Sequence, residues 1–371
     1  MSAMQLSIKI KLLADSVQKD SLLRTMAAFN KAASDAAVAG FDAKVFSQPS
    51  IQRLTYYKIR ETYKLTSQLA VRAIGKAVEC FKRDKKVCPV FKPRSAVVYD
   101  ERIMRFKGLT HVSLASLDGR LVIPIVIAGY QSKRLQSSIK TGQADLVYLN
   151  GVFYLLLSIR LPDAPTIEAK GVLGVDLGVS EIAVDSEGNA YTGAEVEDYR
   201  VKMQRLRSSL QSRGTRSSKR HLKRIRAREH DYRRTLNHQI SRRIVDLAKA
   251  RNFSIAIENL KGIGQRTRFR KSQRAKMSGW SYDQLRQFLA YKGKLAGVSV
   301  ILIDPRNTSR RCNACGHCEK ANRKNQSEFV CKSCGHIENA DLNAARNIRD
   351  HGDARTPIVT NADPQPAGVA S

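Results

Sequence analysis

Cys312-x-x-Cys315 and Cys331-x-x-Cys334 are separated by fifteen residues. Two paired-thiol knuckles at this spacing read as a zinc ribbon. Four sulfur ligands (Cys312, Cys315, Cys331 and Cys334) close a tetrahedral site, so one structural zinc is expected there. The position of the ribbon constrains the chain further. An apolar strand ending at Asp304 precedes it, and a short helix opening near Asp341 follows it. A metal-clipped module is therefore inserted between two core elements of a larger domain. Cys318 adds a further thiol after the first knuckle and reads as a spare, and Cys80 and Cys88 read as buried thiols. Thiols used for metal imply a reducing interior and hence a cytoplasm.

Sixty-five Lys and Arg against 33 Asp and Glu leave a net charge of +32. An excess of that size repels itself in a compact chain and calls for a polyanion partner. A membrane surface is the weaker choice, because no apolar run is long enough to span a bilayer and the first fifteen residues do not form a signal peptide. Nucleic acid remains.

Along the chain, Leu6, Ile8, Ile10 and Leu12 alternate with polar residues, as in a half-buried strand. Residues 16–40 are helical, and 50–85 form a second helical stretch with a break expected near Gly75. Strands fill 95–160, with a hairpin over Asn150-Gly151. Residues 161–170 read as a linker. Three short strands occupy 172–192, and a basic helical hairpin broken at Gly214 occupies 195–250. A strand at 253–257, a mobile basic loop at 262–280, a helix at 283–296, a strand at 298–303, the ribbon and a helix at 340–350 follow. The last twenty residues read as a disordered tail.

Three acids stand where carboxylates are costly. Asp176 and Glu258 end apolar strands, and Asp341 opens the final helix. A buried acid needs a cation or donors. Hard oxygen ligands from three distant segments suit Mg²⁺, and two such ions can clamp an in-line phosphodiester displacement. Three antiparallel strands, a helical stretch, then strand, helix, strand and helix is also the RNase H-like order, whose metal acids lie on the first strand, the fourth strand and the last helix.

The segments Gly174-Val175-Asp176-Leu177-Gly178, Ile257-Glu258-Asn259-Leu260, Asn307-Thr308-Ser309 with the two knuckles, and Ala340-Asp341-Leu342-Asn343-Ala344-Ala345 together resemble the TnpB proteins of insertion-sequence transposons, compact RNA-guided nucleases related to type V CRISPR effectors. The resemblance covers about residues 170–350; the N-terminal half agrees only in layout. It implies a mixed α/β multidomain chain. A wedge β-barrel would take residues 1–15 and 90–165 and carry a helical recognition lobe at 16–89. An RNase H-like (RuvC) nuclease domain would take 170–306 and 338–350, with the zinc ribbon at 307–337 inserted and a tail at 351–371. It further implies two Mg²⁺ ions on Asp176, Glu258 and Asp341, a guide RNA derived from the transposon end, and a double-stranded DNA target cut beside a short motif. Base pairing would read the rest of that target. The expected particle is a monomeric ribonucleoprotein in the prokaryotic cytoplasm, associated with the nucleoid. The presence of all three acids argues against the nuclease-dead relatives of the family.

Candidate nucleic-acid contacts fall in three places. Lys219, Arg220, Lys223 and Arg224 lie on a basic helix suited to sequence-blind phosphate contact. Arg266, Arg268 and Arg270 lie in the basic loop, which ends at Trp280, a packing anchor or a stacking platform. In the helical lobe, Tyr56 and Tyr57 interleave with cations, while Gln68 and Arg72 share a helix face and could read base edges. Tyrosines packing the lobe are the equal alternative there. A non-cleaving RNA-guided DNA binder or repressor and a DNA strand-transferase are the rival functions.

Overall fold

The computed structural model describes residues 3–138, 140–178, 181–192, 194–260, 282–325 and 327–354. The chain divides into two units, Met1–Asp163 and Ala164–Ser371.

The first unit is an antiparallel sheet with a helical insertion. Its strands are β1 (Ala3–Leu12), β2 (Val97–Tyr99), β3 (Met104–Lys107), β4 (His111–Ser116), β5 (Gly119–Val126), β6 (Lys140–Leu149) and β7 (Val152–Pro162), in the spatial order β2-β6-β7-β1-β5-β4-β3. β1 is central and pairs with β7 from Ala3↔Pro162 to Lys11↔Tyr154. Its alternation buries Met4, Ile8, Ile10 and Leu12. β2 and β3 are the two edges of the sheet, yet only residues 100–103 join them. Laid flat, the edges would be about 29 Å apart at ~4.8 Å per strand. The connection reaches about 18 Å at most. The sheet must therefore curl until its edges meet, and Tyr99 of β2 donates its hydroxyl to the Ala115 carbonyl of β4 at 2.7 Å. The β6–β7 turn is Asn150-Gly151 with φ of 49° and 83°, the paired positive values of a type I′ hairpin.

Between β1 and β2 stand α1 (Ser16–Asp42), α2 (Gln48–Tyr63) and α3 (Ser67–Arg83). The break expected at Gly75 falls instead at Lys64, which takes a left-handed φ of 52°, followed by buried Leu65 and the N-cap residue Thr66. Burying Leu65 turns the chain there. Gly75 sits inside α3 with the Gln48 side chain 3.8 Å from where its Cβ would be, a cost that a well-packed helix tolerates. A short helix, α4 (Gly129–Gln136), interrupts the region read as strands and buries none of its side chains. It is held by Gln131, which donates to the Lys9 carbonyl at 2.6 Å.

The second unit contains β8 (Gly171–Asp176), β9 (Glu181–Asp185), β10 (Ala190–Thr192), α5 (Ala194–Arg213), α6 (Arg216–Arg251), β11 (Phe253–Glu258), α7 (Tyr282–Ala296), β12 (Val300–Ile303), a small hairpin of β13 (Glu328–Val330) and β14 (Ile337–Asn339), and α8 (Ala340–Asp353). The five-stranded sheet runs β10-β9-β8-β11-β12, with β8, β11 and β12 parallel and β9 and β10 antiparallel. The supposed linker is partly fastened to this unit: Ile167 N–H donates to the Gly297 carbonyl and Lys170 N–H to that of Asn252. α8 continues past 350 to Asp353, and residues 355–371 lie outside the described residues, as does the loop 261–281 with Trp280.

The two faces of this sheet bury different partners. Leu173, Val175, Ile255 and Ile257 pack with Ile240, Ile244 and Ala248 of α6 and Leu285 and Leu289 of α7. Val172, Ala256, Ile301 and Ile303 pack with Ile348 of α8. α8 lies so close that a Cβ on Gly174 would stand 2.1 Å from the Ala345 carbonyl oxygen and 2.4 Å from the Arg349 nitrogen, while one on Gly352 would stand 2.7 Å from the Ala256 Cβ. These obstacles at Gly174 are backbone atoms and cannot rotate away. Gly174→Ala should therefore destabilise the protein by at least about 1–3 kcal/mol, the usual cost of overpacking a core. Chemical denaturation of the variant against wild type measures it.

Candidate active site and metal centre

The strand period of two decides where the acids go. Val172 faces α8, so Gly174 and Asp176 do too; Ala256 faces α8, so Glu258 does too. β8 and β11 are parallel with Val175 opposite Ile257, which makes Asp176 and Glu258 the next pair, at the carboxyl ends of neighbouring strands. Asp341 enters the same face at the start of α8. Its helix is capped by Asn339, whose side chain accepts from Asp341 N–H at 2.9 Å and Leu342 N–H at 3.1 Å. Glu258 and Asp341 are each 8% exposed, and Asp176 is half-buried.

Burial raises all three carboxyls. Asp176 lies well above the ordinary carboxylate range, first through burial and then through Glu258 and Asp341. Glu258 is raised by burial against the opposing hydrogen bond from Thr308, and Asp341 by burial against Arg323. Glu181, at the start of β9, is raised by burial and by Asp341. Its Oε2 is buried without a hydrogen-bond partner among the described residues. Crowded buried carboxylates with few donors form a field that favours a cation. Arg323 partly answers it, its Nη2 lying 3.1 Å from Asp341 Oδ1. The acids are more widely spread than the thiols: the four ribbon cysteines are the one His/Cys/Asp/Glu group among the described residues whose ligand atoms all lie within 4.8 Å.

Arg323 and Thr308 belong to the segment that carries the ribbon, and nothing in the sequence pattern marked either as part of the acid site. The Thr308 hydroxyl donates to Glu258 Oε1 and is 2% exposed. Asn307-Thr308-Ser309 was a visible motif, but its side-chain target lies fifty residues away.

Cys312, Cys315, Cys331 and Cys334 meet as the spacing requires. Two sulfur pairs are 3.8 and 3.6 Å apart, Cys312 with Cys334 and Cys315 with Cys331. A tetrahedron of about 2.3 Å metal–sulfur bonds has edges of about 3.8 Å. Both knuckles fold alike. The N–H of Cys312 donates to the His317 carbonyl at 2.8 Å, and that of Cys331 to the His336 carbonyl at 2.9 Å. The Cys334 N–H, the largest influence on Cys331, helps push that thiol down to about 6, while burial raises Cys312. Four thiols so arranged suit a structural metal such as zinc. Cys318 is exposed and outside the set.

The nucleic-acid candidates fare unevenly. Lys219, Arg220, Lys223 and Arg224 lie on α6, and all four are exposed. In the first unit, Tyr57 is 80% exposed, its ring 5.3 Å from that of Tyr56, which Arg60 overlies. Gln68 and Arg72 are engaged inward, donating to Asp100 Oδ2 at 2.5 and 2.6 Å. Asp100 is 7% exposed, so these two side chains satisfy a buried acid, and reading bases would require that cluster to open. Arg266, Arg268 and Arg270 lie outside the described residues. No described helix is long and apolar enough to cross a membrane.

Residues 282–348 match the family model described as Cas12f1-like, TNB domain. A CRISPR-associated endodeoxyribonuclease Cas12f1 of Sulfoacidibacillus thermotolerans is 35% identical over 217 residues, covering 53% of this chain and 49% of the relative. InsQ of Escherichia coli, named as a proposed RNA-guided DNA endonuclease, is 28% identical over 313 residues, 77% of this chain and 74% of InsQ. A TnpB-like protein of Methanocaldococcus jannaschii is 24% identical over 256 residues, 64% of this chain and 90% of that one. The chain is similar to TnpB-like and Cas12f1 proteins. The chain spans about half the length of the Cas12f1 relatives it matches. Its fold is similar to that of the protein in a cryo-EM structure of a Cas12f1–sgRNA–target DNA complex, with a TM-score of 0.61 at 15% identity over 90% of this chain and 83% of that one.

Cys331→Ser should cost the ribbon its metal, about one ion per chain, because ligand binding supplies the folding energy of such modules. Elemental analysis of the purified variant beside wild type checks it; intact wild-type protein without a thiol-bound metal would refute the assignment.

Proposed function

We propose that this chain is an RNA-guided DNA endonuclease of the TnpB family, with Asp176, Glu258 and Asp341 holding two Mg²⁺ ions and the ribbon cysteines holding one Zn²⁺. The observation that carries the reading is the convergence of three acids, two of them buried and one half-buried, on one sheet face, under a helix that follows the cysteine ribbon directly. The strand order β10-β9-β8-β11-β12 supports an RNase H-like (RuvC) domain. The curled antiparallel sheet with helices inserted after its first strand supports a wedge barrel carrying a recognition lobe. The relatives named as RNA-guided or CRISPR-associated nucleases support the guide RNA and the DNA target.

Bound Mg²⁺ would supply an activated water and stabilise the leaving 3′ oxygen of an in-line hydrolysis. The chain's own residues do the rest. Asp176 and Glu258, fixed on adjacent parallel strands, present oxygens to one side. Asp341 approaches from the positive end of α8. Thr308 holds one oxygen of Glu258 in place, and the other would be available to a bound cation. The cations of α6 bind phosphates without reading sequence, while pairing with the guide reads the target.

Asp176→Ala should abolish cleavage of a matched duplex and leave RNA binding intact, measured by gel cleavage and by RNA retention on the purified protein. Cleavage indifferent to RNA would favour a strand-transferase, and wild-type protein that binds but never cuts in Mg²⁺ would favour the non-cleaving binder. Changing Lys219, Arg220, Lys223 and Arg224 together to Gln should flatten the salt dependence of nucleic-acid binding by ~0.7–0.9 in log–log slope for each phosphate left without its cation. Filter binding across a salt series reads it.

A further inference from the structure

Arg323 occupies a place that the fold takes trouble to specify. Its neighbour Asn322 is 0% exposed and spans the two knuckles. The Asn322 carboxamide donates to the His317 carbonyl beside the first knuckle at 3.2 Å and to the Arg310 carbonyl at 3.0 Å. Its oxygen accepts from Lys332 N–H, next to Cys331 in the second, at 2.9 Å. The backbone of Arg323 is itself bridged to Phe329, which is buried with Cys312, Cys331 and Ala340. A side chain leaving this anchored backbone ends 3.1 Å from Asp341 Oδ1. Its charge also acts on Asp176 and Glu258. The Arg323 side chain is only 28% exposed and that of Asp341 11%, so solvent screens the pair weakly.

We infer that Arg323 is the counter-cation of the acid cluster, aimed by the ribbon through Asn322, and that a divalent cation competes with it for Asp341. The inference rests on the reading that these acids hold divalent metal. Its physical basis is charge balance. A guanidinium beside Asp341 stabilises the cluster when no metal is present and repels an arriving dication, so metal binding requires Arg323 to yield. Asn322 is a positioning residue: it touches no acid and acts by holding the backbone from which Arg323 extends. The ribbon is thereby coupled to the acid site at a distance from its own metal.

The test is Mn²⁺ binding to the full-length protein, followed by the loss of the free-ion paramagnetic signal. Each form is measured against the same form carrying Asp176→Ala as its blank, which removes Mn²⁺ held by copurifying RNA. Arg323→Gln should tighten the acid-site affinity at least about fivefold, the lower end of ordinary coupling between sites. Arg323→Lys, which keeps the charge, should lie nearer wild type. Asn322→Ala, scored in protein that retains its cysteine-bound metal, should tighten binding in the same direction. An Arg323→Gln affinity equal to wild type, or Arg323→Lys indistinguishable from Arg323→Gln, overturns the counter-cation role. An Asn322→Ala affinity equal to wild type overturns the aiming role. If wild type binds no more Mn²⁺ than its blank, the acids hold no dication, and both the inference and the metal-dependent nuclease reading fall.

Discussion

Negative charge gathered in a buried place governs the second unit. Asp176 and Glu258 end adjacent parallel strands, and Asp341 is brought over them by a helix whose backbone lies against β8 at Gly174. A side chain at that glycine would hold the helix away and loosen the cluster. The packing and the electrostatic problem are thus one feature: the helix must come close to bury Ile348 among Val172, Ala256 and Ile301, and in doing so it places a third carboxylate beside two others. Burial raises the proton affinity of each. A cation relieves the repulsion without the loss of charge that protonation would bring.

The ribbon serves this arrangement as a brace. Carboxamides fasten it to α8: Asn343 donates to the Arg311 carbonyl at 2.8 Å and accepts from Asn313 N–H at 3.0 Å, and Asn347 donates to the Thr308 and Arg311 carbonyls at 2.9 and 2.7 Å. Both are nearly sealed from water, where each such bond costs more to lose than it does at a surface. The module therefore carries Thr308 to Glu258 and Arg323 to Asp341 as parts of one rigid piece. A metal that orders the thiols orders these side chains as well.

Much of this was readable in the chain because it is local. The knuckle spacing predicts the thiol cluster, the apolar run around Gly174-Val175-Asp176 predicts a strand that ends at an acid, and Asn150-Gly151 predicts a hairpin; in each, neighbours within a few residues set the geometry. The features that local pattern placed wrongly have the opposite character. The break in the helical lobe belongs to Lys64 and not to Gly75, because a buried Leu65 outweighs the weak helix propensity of one glycine. Gln68 and Arg72, spaced suitably for a base edge, face Asp100, an acid outside their own helix.

By itself, then, the amino-acid sequence determined the cluster of four thiols, the strand and helix order of the second unit, the acids that end its strands and open its last helix, and a net positive charge in search of a polyanion. These follow from spacing, periodicity and net charge, which are properties of the chain alone. Only the tertiary structure decided that β2 and β3 close a curled sheet, that α8 touches β8 without an intervening side chain, and that Thr308 and Arg323 reach the acids. Those meetings join residues far apart in the chain. Which distant side chain meets a buried charge depends on how whole elements pack, a choice that no local pattern encodes.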